Sequence, residues 1–250
     1  MALLAGVDGC HGGWFVVLCD EGSGDTSHRV VQDFAAVLDH VRNAAMTVVD
    51  MPIGLLDKAQ PGGRECDRQA RRLLGVRGCT VFSPPVRAAL EGWRCPPVKD
   101  KAAYIAAYDA ANRANKENSH HNIGISRQCF GIFPKLAEVD RLMTPELQCR
   151  IRESHPEVAF ALLNCGTPLR WNKHTKEGRN DRRTLLFDAG LPEVERILPE
   201  YQGDGRVAED DILDAFVLVH VARRILRSDA VCLPGNPPTD RRGLRMEIWA

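Results

Sequence analysis

The chain has 250 residues, 44% of them hydrophobic and 26% charged, which is ordinary for a soluble globular protein able to bury a sizeable core. Its 33 basic residues balance 33 acidic ones, so no global field argues for a nucleic-acid partner and only local patches can. Nine cysteines without a C-x-x-C pair signal neither a zinc knuckle nor a disulfide framework; scattered Cys19 and Cys165 read as small core residues of a reducing cytoplasm.

The opening "MALLAGVDGC" has no basic leader and runs straight into a strand, so no signal peptide is expected, and no apolar stretch is long enough to span a bilayer. "LLAGVD" (3–8) is a short apolar run ending in an acid, followed by the glycine-rich turn "GCHGG". "WFVVLCD" (14–20) returns as a hairpin, and "HRVVQD" (28–33) predicts a third strand. Helical periodicity over 34–44 precedes "MTVVDMPIG" (46–54), a buried strand stopped by Pro52 and Gly54. The order β-β-β-α-β predicts a mixed sheet with a parallel component.

The middle changes character. Residues 62–78 predict a short basic helix, 83–90 a proline-stiffened connection into another helical turn, 99–117 an alanine-rich helix, and 128–143 a helix broken at Pro134. This mainly helical stretch, 57–145, is expected to be an insertion between the fourth and fifth strands of a single domain covering 1–250. Strand character resumes at 147–155, where Ile151, Glu153 and His155 share one face, and Pro156 opens a helix. Residues 170–183 predict a polar basic loop, "EDDILDAFVLVHVA" (209–222) an acidic-headed apolar helix, and 243–249 a terminal strand.

Four acids stand out. Asp8 and Asp50 each end an apolar strand, where open α/β sheets present side chains to a ligand crevice. Asp210 reads as the N-cap of the last helix and Asp211 as a first-turn acid favoured by its dipole. Asp214 has no such explanation. It falls on the packed stripe of the helix, where an ionised carboxylate is costly unless a cation or metal is held against it. If the helix packs on the sheet, all four acids reach one crevice, and mutual repulsion calls for divalent cations. Oxygen-rich sites of this kind suit Mg²⁺ or Mn²⁺, and two such ions are one route to phosphodiester hydrolysis.

"GVDGCHGGW", "VVDMPIG", "RECDRQARRLLG", "TVFSPPVR", "RESHPEVAF", "EDDILDA" and "GLRMEIW" together resemble a bacterial family known as domain of unknown function 429. The resemblance implies a ribonuclease-H-like fold and a predicted nuclease with Asp8, Asp50, Asp211 and Asp214 as catalytic metal ligands. The same acids resemble those of Holliday-junction resolvases, which place them on the first strand, the fourth strand and an Asp-x-x-Asp-Ala helix. The fourth-strand acid there is usually Glu, so Asp50 is one methylene shorter.

"ESHPE" adds His155 and Glu157 as candidate catalytic groups, a neutral histidine beside acids being a metal ligand or a general base. The competing assignment has His155 ordering the strand-to-helix turn and Glu157 favouring a helix N-terminus. His120 and His121 read as surface residues and His220 as a helix-face histidine. Arg64, Arg68, Arg71 and Arg72 share one helix face and, with Arg77, Arg87, Lys173, Lys176 and Arg179, are candidate phosphate contacts. The competing assignment is a solvated face paired to Glu65 and Asp67. Aromatic content of 6% gives no stacking platform for single strands. The expected function is a metal-dependent nuclease or phosphodiesterase acting on nucleic acid or another phosphodiester. A phosphotransferase-like nucleotide binder and a non-catalytic module of the same fold are the alternatives, and a homodimer is compatible with the sequence.

Overall fold

The computed structural model describes residues 2–96 and 100–250. Leu3–Cys10 forms β1 and Gly13–Asp20 forms β2, antiparallel to it through the glycine-rich turn. Thr26–Val31 (β3) pairs antiparallel with β2 and alternates in exposure, as an edge strand with one solvated face should. After Phe34–His40 (α1), capped by the Asp33 carboxylate, Met46–Val49 (β4) pairs parallel with β1. Among the described residues five α-helices then precede the next strand: Glu65–Leu74 (α2), Arg87–Glu91 (α3), Lys101–Glu117 (α4), Arg127–Gly131 (α5) and Phe133–Leu142 (α6). Ile151–Glu153 (β5) pairs parallel with β4. The five-stranded sheet thus has the order β3-β2-β1-β4-β5.

Pro156–Leu163 (α7), Lys176–Asp188 (α8), Val194–Ile197 (α9) and Glu209–Leu226 (α10) follow. Cys232–Leu233 (β6) and Ile248–Trp249 (β7) close the chain as a small antiparallel pair. Among the described residues no helix is long and apolar enough to cross a membrane. All nine cysteines are free thiols.

Helices cover both faces of the sheet, and the period-two alternation of the strands decides what faces what. Leu4, Phe15, Val17, Met46 and Val48 pack with α10, α7 and α8. Ala5, Val7, Trp14, Val16 and Val49 pack on the opposite face with α1 and α6. Gly6 and Asp8 are two and four residues from Leu4, and Asp50 is two from Val48. All three therefore lie on the α10 face.

Several expected boundaries move. The predicted loop at 170–183 is largely helix α8, because the Thr175 hydroxyl caps it at the Gly178 amide and Arg182 and Leu186 are buried on its inner side. The predicted strand over 147–155 begins as a 3-10 turn and contracts to the three residues of β5. The expected terminal strand over 243–249 contracts to β7. The break in the helix at 128–143 falls at Ile132, with Pro134 in the first turn of α6, where its missing N–H costs nothing. Lys99, the first residue of the helix expected over 99–117, lies outside the described residues.

Gly6 has no room for a side chain. A Cβ there would lie 1.9 Å from the Ala215 carbonyl oxygen and 2.8 Å from the Val219 amide nitrogen, so α10 rests on bare β1 backbone. Gly6→Ala should lower unfolding free energy by about 3 kcal/mol or more, since backbone cannot yield as a flexible side chain can. Urea denaturation of the purified variant measures this; a loss under about 0.5 kcal/mol would mean that α10 can shift without cost.

Candidate functional site

Asp8 and Asp50 reach the same sheet edge because β1 and β4 run parallel in register, Val7 opposite Val49, so each acid is the next residue. The Asp50 amide donates to the Val7 carbonyl at 3.0 Å, continuing the ladder one step beyond β4. Helix α10 brings the other two. Ala215 and Val219 sit over Gly6, and Asp211 and Asp214 lie up to one turn, about 6 Å, toward the helix start. Asp8 lies two strand residues from Gly6, about 7 Å in the matching direction. All four carboxylates line one cleft of about 420 Å³.

Burial and mutual repulsion act on each acid. Asp8 is 6% exposed, with Oδ1 accepting from the Gly9 amide at 2.8 Å. Burial raises its proton affinity well above the carboxylate range, and the charges of Asp50, Asp214 and Asp211 add to the rise. Burial, then repulsion from Asp214, pushes Asp50 up to about 8. Burial carries Asp211 to about 6 despite the hydrogen bond its Oδ2 accepts from the Ala208 amide at 2.8 Å. Asp214 is 2% exposed and also raised by burial.

The expected cation beside Asp214 is a side chain. Lys173 Nζ lies 2.7 Å from Asp214 Oδ2 and 3.1 Å from Asp210 Oδ2. Burial favours the neutral amine, but Asp214 and Asp8 outweigh it, and the ammonium is held more firmly than in water. Asp214 Oδ1 stays buried without a hydrogen-bond partner. Asp210 is not the N-cap: Ala208 occupies that position, the Asp211 carboxylate binds its amide, and Asp210 is free to meet Lys173.

The donor chemistry fits a hard divalent ion: four carboxylates in one cleft, one presenting a bare buried oxygen. As they stand, no three His, Cys, Asp or Glu side chains among the described residues are spaced to enclose a metal. Side-chain adjustment of the carboxylates would have to accompany binding.

His155 and Glu157 line the same cleft in different circumstances. Glu157 is committed to two guanidinium groups, Arg182 and, at 3.2 Å, Arg77. His155 faces the Thr80 carbonyl through Nε2 at 3.4 Å, leaving Nδ1 buried and unpartnered. Burial lowers its proton affinity, so the ring is neutral near pH 7.

The expected basic face does not form. Arg64 is 2% exposed, bound to Asp67 at 2.7 Å and to Glu153 at 2.5 Å, with its Nη1 also donating to the Ile53 and Gly54 carbonyls. Arg68 pairs with Glu65 at 2.6 Å, and Arg71 donates to the Val81 and Gly62 carbonyls and the Ser83 hydroxyl. Arg87, 1% exposed, is enclosed by Asp140 and Asp240. A planar five-donor fork suits such internal ties, and sequence spacing does not distinguish them from a phosphate-binding face. Arg179 pairs with Glu209 at 2.9 Å. Of the candidate cations, Arg64, Arg77 and Lys173 do line the cleft, Arg64 with its guanidinium already committed to Asp67 and Glu153, and Lys135, which the sequence did not single out, joins them from α6. Its stem crosses Gly9, where a Cβ would lie 2.6 Å from Lys135 Cδ. The only signal was a lone lysine after a helix-opening proline.

A family model described as "Protein of unknown function (DUF429)" matches residues 6–239. No curated protein and no solved structure matches the chain.

From the ordinary carboxylate range up to about 8, unfolded Asp50 is ionised while folded Asp50 keeps its proton, so its contribution to stability falls as pH rises. Asp50→Asn removes that fall. In metal-free buffer the variant should exceed wild-type stability near pH 8 by on the order of 2 kcal/mol and match it near pH 4. Calorimetric melts across that range decide it; parallel pH trends for the two proteins would refute the assignment.

Proposed function

From a chain that belongs to the DUF429 family, we propose a metal-dependent phosphodiesterase of ribonuclease-H-like fold that uses Mg²⁺ or Mn²⁺ and acts on nucleic acid. The observation that carries the reading is the convergence of Asp8, Asp50, Asp211 and Asp214 on one cleft. Further support comes from the sheet order, with β1–β3 antiparallel and β4 and β5 added in parallel.

Asp8, Asp50 and Asp214 would hold the cation, with Asp211 at the cleft edge as a further oxygen donor. Bound there, the ion supplies Lewis-acid stabilisation of phosphoryl charge and lowers the proton affinity of attacking water. Neutral His155, a cleft-lining residue whose buried Nδ1 has no hydrogen-bond partner, can accept a proton from that water. Arg77 and Lys135 place positive charge beside the acids, where a phosphodiester would otherwise be repelled. Cleft walls from 77–82, α6 and 172–174 orient the substrate and limit bulk water. The preformed Lys173–Asp214 pair favours a second reading, a phosphate-ligand-binding module that needs no metal.

Labelled RNA, DNA, hybrid and junction substrates incubated with Mn²⁺ separate the two. Cleavage that EDTA abolishes is expected, and Asp8→Asn should slow it at least about 100-fold through loss of a metal ligand. Absence of cleavage across the panel, with phosphate-ligand binding retained, would favour the module.

The cation at the rim has its own signature. Lys135→Gln should reduce the slope of log affinity against log salt by about 1 without changing the fold. Fluorescence anisotropy titrations over a salt series read this directly, and an unchanged slope removes Lys135 from the substrate contact set.

A further inference from the structure

The acids of the cleft are not balanced by the cation already among them. Asp210 and Asp214 share the Lys173 ammonium, while no ion pair involves Asp8, Asp50 or Asp211 among the described residues. Of the other cations nearby, Arg182 and Arg77 are engaged on Glu157 and Arg179 on Glu209, while Lys135 lines the cleft across Gly9 with no ion pair to the four acids. Asp8, Asp50 and Asp211 therefore remain without an ion-pair partner around a buried carboxylate, Asp214, whose second oxygen has no hydrogen-bond partner.

The segment carrying Lys173 is fixed at its backbone, whereas its side chain is tied to Asp214 and Asp210 through the ammonium. Asn172 Oδ1 accepts from the His174 amide at 3.0 Å, and the Asn172 carbonyl accepts from the Thr175 amide at 3.0 Å. Gly178 at the start of α8 lets that carbonyl approach so closely that a Cβ would lie 2.0 Å from it. The Lys173 side chain, by contrast, is 31% exposed and reaches the acids on a flexible stem. Swinging that stem into solvent uncovers Asp214 Oδ2 without moving the loop.

We infer that Lys173 is a resident counter-ion occupying the cation position at Asp214, and that a divalent metal binds by displacing its ammonium. The inference rests on the metal-dependent reading of the cleft. The pair keeps the metal-free cluster folded and sets the metal concentration at which the cleft is loaded. Entry of the ion exchanges one positive charge for two, which the remaining acids favour. Lys173 is thus a positioning residue for the acids, and its displaced ammonium stays near the cleft mouth, beside His174 and Asn172.

The test is calorimetric titration of the whole protein with Mn²⁺, and with Ca²⁺ as a second hard ion, in wild type and Lys173→Met. The variant should bind Mn²⁺ about tenfold more tightly or better, since no charge-assisted hydrogen bonds must first be broken. Its metal-free melting temperature should fall below wild type, and saturating Mn²⁺ should recover that loss. If Lys173→Met does not fold, Asp210→Asn serves instead: it loosens the hold on Lys173 and should tighten Mn²⁺ binding by a smaller factor. Unchanged or weaker Mn²⁺ binding in a folded variant overturns the inference, even if wild type cleaves nucleic acid with Mn²⁺. Tighter binding without cleavage leaves the inference standing and removes the nuclease reading.

Discussion

The close approach of α10 to β1 at Gly6 is the contact on which the site depends. Helix and strand meet backbone to backbone, because the strand offers no side chain at the point where Ala215 and Val219 arrive. That contact sets both the height of the helix above the sheet and its register along the strand. With register set, Asp211 and Asp214 must lie over the end of β1, where Asp8 emerges beside Asp50. Any side chain at position 6 would lift the helix, and the four acids would separate before any of them was altered.

The charge distribution follows from burial. Arg64 and Arg87, expected on a basic surface, are instead internal fasteners, and Arg182 is a third. Arg64 ties the start of α2 to β5 through Glu153, Arg87 ties α3 to Asp140 and Asp240, and Arg182 ties α8 to α7 through Glu157. Each guanidinium is dry, and each is met by a carboxylate, the arrangement in which a buried charge is tolerated. The cleft acids are treated differently. Lys173 meets only Asp214 among them, while burial and then mutual repulsion make Asp8 and Asp50 hold their protons tightly. That asymmetry separates a structural ion pair from a site with capacity for a ligand.

The helical stretch between β4 and β5 contributes to the cleft as well as to the core. Its α6 packs against α1 on one side of the sheet while presenting Lys135 across Gly9 to the acids. The 3-10 turn after α2 supplies the opposite wall, including Arg77 and Thr80. The crevice at the sheet edge, which in a bare sheet would be shallow, becomes a walled cleft with both signs of charge.

The amino-acid sequence by itself determined the first four strands, the acid at the end of β1 and the one just beyond β4, and the helix that carries Asp211 and Asp214. These are readable because they depend on local periodicity: apolar runs ended by acids and a helical stripe interrupted by a carboxylate. It also showed that Asp214 needed a positive partner, because that follows from burying a charge anywhere. Only the tertiary structure decided that the partner is Lys173, 41 residues away, from a segment that reads as loop. The fates of Arg64 and Arg87 were likewise decided there, since Arg64 meets Glu153 89 residues on and Arg87 meets Asp240 153 residues on. Helical spacing places a guanidinium on a face but carries no record of which distant carboxylate will fold against it. Asp210 is the same case at shorter range: its position at the helix start is local, but its choice of Lys173 over the helix amides was set by how α8 packs beside α10.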